Sequence, residues 1–412
     1  MILYLKLAVL TCESNLSLYI CDMQLSVIIL NYNVRYFLEL CVSSVQAALN
    51  GLDAEIIVID NNSSDDSCAM MKARFPDVKL IENKENLGFP KGNNIGVAQA
   101  KGKYICILNP DTVVAEDTFV KVLAFAERQK NLGIVGVKLI DGAGNFLPES
   151  KRGVPTPWVA FTKITALYKM FPKTKWFGRY YASHLNENQT GKVDILVGAF
   201  MVMERQLYLD IGGFDEDCFM YSDDIDLSYM ALQKGRTNYY FHETTVIHYK
   251  GESTIKDGTY MKRFQEAMNF FYRKHFKVSV LFSMFMKIGI VFFSLVKRFQ
   301  GKRLVQKEKE HFVLYSKNKS LVQKIETALH SKVVFHDLNT KKMVFSSLTS
   351  SESPVEILLD ADTIPFKECI AFMEHLKNKR FTFKMLSKNN EFLIGSDNSN
   401  ERGTVIKITN TN

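Results

Sequence analysis

Short apolar runs alternate with segments of helical spacing from residue 25 to residue 137, and this alternation constrains the fold more than any other feature. Apolar runs bounded by Asn, Asp and Gly are typical of buried parallel strands, and the segments between them have the spacing of helices packed on a sheet. The runs are 26–30, 55–60, 79–82, 104–108 and 134–138, and the helical segments are 34–49, 65–75, 91–100 and 116–130. The pattern predicts an α/β fold with a mostly parallel central sheet.

A shorter alternation of the same kind begins near residue 311. A chain of 412 residues that is 47% hydrophobic is long enough for one large core and a second, smaller one. The second set of candidate strands and helices is 312–315, 321–329, 332–335, 355–359, 366–377 and 381–385. It contains no glycine-rich phosphate loop, so the sequence predicts a small C-terminal α/β domain over 304–412 and assigns it no chemistry.

The cysteines and the first residues bear on where the protein works. Seven cysteines are scattered without a Cys-x-x-Cys pair, and several lie in apolar runs, which favours a reducing cytoplasm. Residues 3–10 are apolar except for Lys6 and have some character of a signal sequence, but Met23 stands two residues before the first predicted strand. We therefore expect residues 1–22 to be a non-native extension from an upstream start codon.

A carboxylate and an imidazole follow two of the apolar runs. Asp111 ends the segment Asn109-Pro110-Asp111 after the strand 104–108, and His248 follows Thr245-Val246-Ile247. Open α/β sheets bind ligands at the carboxyl ends of their strands, where these side chains are expected to meet. Mg²⁺ and Mn²⁺ prefer carboxylate oxygens, and Mn²⁺ also accepts imidazole. The sequence therefore predicts a divalent cation held by Asp111 and His248.

Two further acids open a predicted helix. Asp223 and Asp224 follow Ser222, which is a typical N-cap residue, and acids in a first turn are favoured by the helix dipole. Helix electrostatics alone would explain such a pair. However, the segment follows a glycine turn at 212–213 and lies between the two predicted metal-site elements. We therefore predict that Asp224 is a catalytic base, with Asp223 beside it.

These motifs, in this order, resemble those of family 2 inverting glycosyltransferases, especially the rhamnosyltransferase-like members that build bacterial surface polysaccharides. The resemblance covers roughly residues 23–275. It is carried by the opening strand 26–33, the turn 58–63, the segment 85–96, the metal motif 108–111, the strand 198–200, the acidic pair 223–224 and the late histidine 248. It implies a GT-A type nucleotide-diphospho-sugar transferase domain over 23–275.

The resemblance also implies roles for individual residues. It places the acceptor beside Gly198 and Ala199, and we expect Trp158 and Trp176 to bind the acceptor as well. Asn109 stands where the wider superfamily has the first acid of an Asp-x-Asp motif, so Asp111, His248 and the donor diphosphate would hold the cation. For Asn31 and Asp60 a role as strand-end turn formers is equally compatible with the sequence. The implied donor-binding residues are Asn31, Asp60, Asn61, Lys91, Asn93, Asn109 and Asp111.

The reaction implied is a metal-assisted single displacement with inversion. A sugar would move from a nucleoside-diphosphate donor, dTDP-rhamnose or a UDP-sugar, to a hydroxyl of a growing and lipid-linked glycan. The leaving diphosphate develops negative charge as the glycosidic bond breaks, so a bridging cation lowers the barrier. The acceptor hydroxyl requires a base, which is the role predicted for Asp224.

Two segments suggest contact with a membrane. Residues 151–181 contain seven cations, no acid and both tryptophans, Trp158 and Trp176, which favours an anionic amphipathic ligand or a lipid headgroup layer over a solvated loop. Residues 277–296 are mostly apolar with only Lys287 inside and are followed by basic residues, so they suit a membrane span, an interfacial helix or a core helix. We expect 276–303 to be a membrane-associating helix and the protein to lie on the inner face of the cytoplasmic membrane.

Other functions fit the sequence less well. The glycines at 88, 92 and 96 lack the spacing and position of a dinucleotide-binding loop, and residues 60–71 lack the sixth-position glycine of a Ca²⁺ loop. The net charge of +8 is modest and the basic stretch has no nucleic-acid-binding motif, so we expect no nucleic acid partner. A membrane-associated, non-catalytic scaffold that binds sugar nucleotides is the alternative function, and it would require a degenerate site.

Overall fold

The computed structural model describes most of the chain in separate stretches. These are residues 23–218 (apart from 157, 160, 161, 163–169, 171–173 and 175), 221–249, 258–276, 311–340, 354–377, 380–398 and 403–408. The predicted N-terminal extension 1–22 and nearly all of the predicted membrane-associating helix 276–303 lie outside the described residues.

A nine-stranded sheet forms the centre of the larger domain in the described part of the chain. Its order is β3-β2-β1-β4-β8-β6-β9-β5, with β7 paired to β9. Strands β3, β2, β1 and β4 are parallel, β6 and β9 run in the same direction as these, and β5, β7 and β8 run opposite. The strands are Leu25–Asn31 (β1), Ala54–Asp60 (β2), Lys79–Glu82 (β3), Tyr104–Leu108 (β4), Thr112–Val113 (β5), Leu132–Ile140 (β6), Gly191–Val193 (β7), Phe200–Glu204 (β8) and Thr237–His248 (β9). The predicted mainly parallel α/β sheet is confirmed.

Helices cover both faces of this sheet. Alternating side chains of β1 enter opposite cores: Val27 and Ile29 pack on one face, and Ile28 and Leu30 on the other. The continuous apolar runs in the sequence arise from this burial on both faces. The helices are Arg35–Ala48 (α1), Ser67–Arg74 (α2), Gly88–Ala98 (α3), Thr118–Glu127 (α4), Arg205–Asp210 (α5), Asp223–Gln233 (α6) and Gly258–His275 (α7).

A second, six-stranded sheet forms the C-terminal unit within the described residues. Its order is β11-β10-β12-β13-β14-β15, and β14 and β15 are antiparallel to their neighbours whereas the other strands are parallel. The elements predicted from the sequence are present, and the short strands β14 and β15 were not predicted. The elements are His311–Ser316 (β10), Leu321–Leu329 (α8), Val333–Asp337 (β11), Val355–Asp360 (β12), Phe366–Leu376 (α9), Phe381–Leu386 (β13), Phe392–Gly395 (β14) and Thr404–Lys407 (β15).

The C-terminal unit packs against the strands that carry the predicted metal ligands. One buried apolar cluster joins Val113 of β5 and Ile247 of β9 to Phe366 and Phe372 of α9. Glu116 lies at the start of α9, and its carboxylate accepts the backbone N–H groups of Phe366 at 2.7 Å and Lys367 at 2.8 Å. A carboxylate from one domain therefore caps a helix of the other.

We expect Glu116→Ala to lower the stability of the whole protein. The substitution leaves two N–H groups of α9 without their acceptor, and loss of a helix cap costs about 1–2 kcal/mol. Thermal or urea unfolding would measure the change. Glu127→Ala, at an exposed glutamate that ends α4, is the control and is expected to stay within about 0.5 kcal/mol of the wild type. Equal losses in the two variants would contradict the cap.

Candidate active site

Asp111 and His248 meet at the edge of the central sheet. Strands β5 and β9 place Thr112 opposite His248, and the N–H of Tyr249 donates to the carbonyl of Asp111 at 3.0 Å. Asp111 Oδ1 lies 3.4 Å from His248 Nε2, and both side chains are almost buried. Asn109 Nδ2 lies 3.3 Å from the same imidazole nitrogen. The structure thus brings together the two predicted metal ligands, Asp111 and His248, and Asn109, the first residue of the motif that contains Asp111.

This pair fits a divalent cation held jointly with a ligand. Within the described residues, no group of three or more His, Cys, Asp or Glu side chains is arranged to hold a metal. A carboxylate and an imidazole that converge nevertheless suit Mn²⁺, and His248 Nδ1 and Asn109 Oδ1 are buried polar atoms with no hydrogen-bond partner in the described part of the chain. Such unsatisfied groups are uncommon away from functional sites. The remaining ligands would come from outside the protein.

Asp224 lies in the first turn of α6 with one oxygen already engaged. Its Oδ2 accepts the backbone N–H of Gly198 at 3.0 Å and Arg152 Nη2 at 2.5 Å. A Cβ atom at position 198 would lie only 3.3 Å from Cβ of Asp224, so glycine permits this close approach of the backbone. The described contacts all use Oδ2, which leaves Oδ1 for a substrate.

Asp223 differs from its neighbour in its electrostatic surroundings. Burial and the nearby charge of Asp224 raise the pKa of Asp223 to about 7, although backbone N–H groups and Arg152 act in the opposite direction. At neutral pH Asp223 holds a proton for part of the time.

The predicted cap of this helix is wrong in one respect. Ser222 occupies the N-cap position, but its side chain makes no capping hydrogen bond. Its hydroxyl lies 3.2 Å from Cys218 Sγ instead, and the backbone carbonyl of Ser222 accepts the N–H of Asp226. A local contact with the preceding loop has replaced the side-chain cap.

Two consecutive residues, Gly198 and Ala199, connect Asp224 to the pair Asp111 and His248 through backbone hydrogen bonds. The N–H of Gly198 holds Asp224, and the carbonyl of the next residue, Ala199, accepts the N–H of Asn109 at 3.1 Å. Asn109 in turn contacts His248. Residues distant in sequence are thereby assembled into one site, with the base on one side of Gly198 and Ala199 and the metal pair on the other.

The predicted donor-binding residues Asn31 and Asp60 lie at the neighbouring strand ends. They are opposite each other in β1 and β2, and Asn31 Nδ2 donates to Asp60 Oδ1 at 2.7 Å. Asp60 also accepts the N–H and the hydroxyl of Ser63, so both residues do form the turn. Asn31 Oδ1 is buried and has no partner among the described residues.

The remaining predicted donor-binding residues lie on or before α3. Asn61 Nδ2 donates to the carbonyl of Gly88 at 3.0 Å and so holds the loop before this helix. Asn93 is buried and donates to the carbonyl of Phe89, and its Oδ1 has no partner in the described residues. Lys91 is exposed on the same helix. Its ammonium group makes no hydrogen bond or ion pair with the residues that the structure describes.

Trp158 and Trp176 lie together on the surface. They are 45% and 71% exposed, and the indole N–H of Trp158 donates to the carbonyl of Trp176 at 2.9 Å. The Trp158 ring also lies 5.8 Å from that of Phe177. Large exposed aromatic side chains of this kind mark a binding surface.

Two cations of the segment 151–181 are engaged within the protein and are not free for the anionic ligand expected from the sequence. Arg152 is paired with Asp224, an acid from outside the segment. Lys151 is buried, and its ammonium group donates to the carbonyls of Tyr181 and Ala182. Lys163, Lys169, Lys173 and Lys175 lie outside the described residues.

A second network, on the third acid of α6, was not predicted from the sequence. Asp226 is 1% exposed, and its carboxylate lies 2.8 Å from Lys274 Nζ and 2.5 Å from His275 Nε2. Lys274 also contacts Asp215 at 2.6 Å. These ion pairs fasten the end of α7 to the helix that carries Asp224.

Among the helices that the structure describes, none is both long and apolar enough to cross a membrane.

The sequence and the fold are similar to those of known glycosyltransferases. Residues 26–212 match the family described as Glycosyl transferase family 2. The chain is 26% identical over 244 residues, 57% of this chain and 78% of that protein, to an N-acetylglucosaminyl-diphospho-decaprenol L-rhamnosyltransferase of Mycobacterium tuberculosis. It is 28% identical to rhamnosyltransferase WbbL of Escherichia coli K12, over 39% of this chain and 61% of that protein.

Similar solved structures include mannosyltransferase PcManGT from Pyrobaculum calidifontis in complex with GDP-Man and Mn²⁺, with 16% identity, a TM-score of 0.45 and coverage of 69% of this chain and 77% of that chain. Another is GalNAc-T7 with UDP, GalNAc and Mn²⁺, with 19% identity, a TM-score of 0.43 and coverage of 60% of this chain and 48% of that chain. The family match and the relatives agree with the resemblance found in the motifs. The chain carries a domain of glycosyl transferase family 2 and is a glycosyltransferase.

Proposed function

We propose that the protein transfers a sugar from a nucleoside-diphosphate donor, dTDP-rhamnose or a UDP-sugar, to a hydroxyl of a growing, lipid-linked glycan with inversion. The observation that carries the proposal is the single site in which Asp224 is joined through Gly198 and Ala199 to Asn109, Asp111 and His248. The two rhamnosyltransferase relatives, one of which has a diphospho-decaprenol-linked acceptor in its name, support the choice of donor and acceptor.

Asp224 acts as the base in this proposal. Oδ1 takes the proton of the acceptor hydroxyl while that oxygen bonds to the anomeric carbon and the bond from this carbon to the diphosphate breaks. Attack from the side opposite the leaving group inverts the configuration. Gly198 N–H and Arg152 hold Oδ2, so the carboxylate is oriented before the acceptor arrives.

Asp111 and His248 are the residues that would hold a divalent cation, Mn²⁺ or Mg²⁺. When bound, the cation neutralises negative charge on the leaving diphosphate. The donor nucleotide is proposed to lie along the ends of β1 and β2 and the start of α3, against Asn31, Asp60, Asn61, Lys91 and Asn93. Asn31 Oδ1 and Asn93 Oδ1 are buried acceptors without partners among the described residues, and a nucleotide N–H group would satisfy them.

The domain organisation belongs to the same proposal. Residues 23–275 are the catalytic domain, 276–303 the membrane-associating helix and 304–412 a domain that supports β5 and β9 through the shared apolar cluster. A non-catalytic scaffold is the alternative, and it is disfavoured because Asp111, Asp224 and His248 are all present at one site.

A donor panel tests the function. The purified protein is incubated with Mn²⁺ and dTDP-rhamnose, UDP-glucose, UDP-galactose or UDP-N-acetylglucosamine, with and without an N-acetylglucosaminyl-diphospho-lipid, and nucleoside diphosphate release is measured. We expect one donor to be used, with faster release when the acceptor is added. Binding of a nucleotide sugar without turnover, with any acceptor of this class, would favour the scaffold.

Membrane docking is a separate prediction of this proposal. Exposed tryptophans suit the interface of a bilayer, and cations near an anionic surface contribute about 1 kcal/mol each. We expect the protein to sediment with vesicles of phosphatidylglycerol and phosphatidylcholine, less so at high salt. Deletion of 277–303 should remove most of the binding, and Trp158→Ser with Trp176→Ser should weaken it.

Val120→Ser is the matched control for the tryptophan variants, because Val120 is 50% exposed on α4, outside the segment 151–181. A wild-type protein that stays in the supernatant at low salt would rule out docking and favour a soluble acceptor.

A further inference from the structure

We infer that Arg152 is a positioning residue that keeps the proton off Asp224 and turns Oδ1 of this carboxylate toward the acceptor. The inference rests on the proposed role of Asp224 as the base. Its geometric basis is the contact of Arg152 Nη2 with Asp224 Oδ2 at 2.5 Å, made by two side chains that are 13% and 12% exposed.

The backbone and side chain of Arg152 are both fixed. Its N–H and C=O form a pair of hydrogen bonds with Ile195, each 2.9 Å long, and Nη2 also donates to the carbonyl of Leu196 at 3.0 Å. Leu196 is followed by Val197 and Gly198, and the N–H of Gly198 donates to the same carboxylate oxygen, Asp224 Oδ2. Arg152 is therefore anchored by hydrogen bonds to the stretch 195–198, whose last N–H also donates to Oδ2, so the directions of the two donors are set together.

The contact distinguishes the two adjacent acids. Asp224 has a guanidinium partner at hydrogen-bond distance, whereas Asp223 is buried with backbone N–H groups as its nearest favourable contacts. Two neighbouring carboxylates in a buried site share protons, and a cation placed on one of them decides which remains ionised. Arg152 makes Asp224 the acid that is ready to accept a proton.

Stability alone explains the pair poorly. Burial of an ion pair costs desolvation energy that its attraction offsets only in part, so an apolar contact here would serve the fold as well. Arg152 Nε is also buried with no hydrogen-bond partner among the described residues. Arg152 contacts the carboxylate proposed to be the base despite this desolvation energy, which is consistent with a role in the reaction.

Other ionisable groups face this pair. Tyr180 and Glu149 act on Arg152, and Asp223 lies beside Asp224. Burial raises the pKa of Tyr180, so its hydroxyl stays protonated over the range tested here. Further along α6, Asp226 carries Lys274 and His275. Because Arg152 also acts on Asp223 and Tyr180, a pH-dependent difference between the wild type and an Arg152 variant is assigned to Asp224 only by the control variants.

The first test uses no substrate. In Arg152→Gln the acidic pair lacks its cation and binds a proton more tightly in the folded state. A group with a raised folded pKa loses its stabilising contribution as pH rises, so the deficit in melting temperature of the variant should be larger at pH 8 than at pH 5, by about 2–4 °C. Loss of a purely structural hydrogen bond would give the same deficit at both pH values, which would overturn the inference.

Two variants control this measurement. Arg179→Gln removes the same charge from an exposed position of the same segment and is expected to show no pH-dependent deficit. In the Asp224→Asn background, Arg152→Gln should lose most of its pH-dependent part, because the carboxylate that Arg152 contacts has been removed and only the more distant Asp223 can still respond. A pH-dependent deficit that persists in that background would assign the effect to another group.

The second test is kinetic and uses dTDP-rhamnose with an N-acetylglucosaminyl-diphospho-lipid, or whichever donor the panel identifies. We expect Arg152→Gln to lower kcat about tenfold or more at pH 7 and to shift the acid limb of the profile of kcat against pH to higher pH. The affinity for the nucleoside diphosphate should not change. Arg152→Lys keeps the charge and should keep the acid limb near that of the wild type. An unchanged profile in Arg152→Gln would overturn the inference.

The two tests separate this inference from the proposed function. If Asp224→Asn keeps its activity, the assignment of the base fails, whatever Arg152 does. If Asp224→Asn is inactive and Arg152→Gln behaves as the wild type in both the melting and the kinetic test, the base stands and the role of Arg152 is wrong. Should Arg152→Gln fold poorly, Arg152→Met also removes the charge and supplies both readouts.

Discussion

Asp224→Asn will lower kcat by about 10²–10⁴-fold while the affinity for the donor stays within about twofold, because a base contributes in the transition state and little to ground-state binding. An asparagine carbonyl can still accept the two donors that hold Oδ2, Gly198 N–H and Arg152. The fold is therefore expected to survive. Steady-state release of nucleoside diphosphate measures kcat, and calorimetric titration with the donor nucleotide measures affinity.

Asp223→Asn is the matched control, since it changes the adjacent carboxyl group in the same turn. The pKa of Asp223 is raised to about 7 by burial and by Asp224, so an amide resembles the protonated side chain that is already present in part at neutral pH. We expect a much smaller loss of kcat, within about tenfold. More than about a tenth of wild-type kcat in Asp224→Asn, with an inactive Asp223→Asn, would transfer the role of base to Asp223.

Asp223→Asn is also expected to change how the stability of the protein depends on pH. The folded state binds the Asp223 proton more tightly than the unfolded state, so the wild type loses stability as pH rises from about 4 to about 7. Asp223→Asn lacks this proton and should lose less stability over the same range. Melting curves at pH 5 and pH 8 would show whether the shift is present.

The sequence predicted strands β1, β2, β3, β4 and β6 of the larger domain closely, because strands buried on both faces, as most of these are, must be apolar throughout. Tyr104–Leu108 is predicted at the bounds that the structure shows, and β1 extends only one residue beyond each end of the predicted run. The strands β14 and β15 escaped prediction. They are short, and β15 is a sheet edge with half-exposed or exposed residues, so it has no continuous apolar run.

The site was predictable where it depends on strand ends. Asp111 and His248 were expected together because each follows an apolar run at one edge of the sheet, and the structure places their side chains 3.4 Å apart. Arg152 was not predictable in the same way. Its partner lies 72 residues further along the chain, and in the sequence it is one cation in a run of similar cations. Only the antiparallel bridge between Arg152 and Ile195 turns it inward.

Asp111→Ala and His248→Ala will each remove most of the metal-dependent part of donor binding. Each variant takes one ligand from the proposed cation site, to which the described residues contribute this pair of side chains and which the diphosphate would complete. We expect the affinity gained on adding Mn²⁺ to fall at least about tenfold, while the affinity measured without metal changes little. Titrations of UDP and dTDP with and without Mn²⁺ give both values.

Matched controls are available for both ligands of the pair. His242→Ala removes a histidine of the same strand that contacts Thr190, and Asp210→Ala removes an exposed carboxylate at the end of α5. Both should keep the full metal dependence.

Asn109→Asp should act in the opposite direction, because it places a second carboxylate beside His248 and so should tighten Mn²⁺ binding without nucleotide. The same metal dependence in Asp111→Ala, His248→Ala and the two controls would show that the cation, if one is used, is held elsewhere.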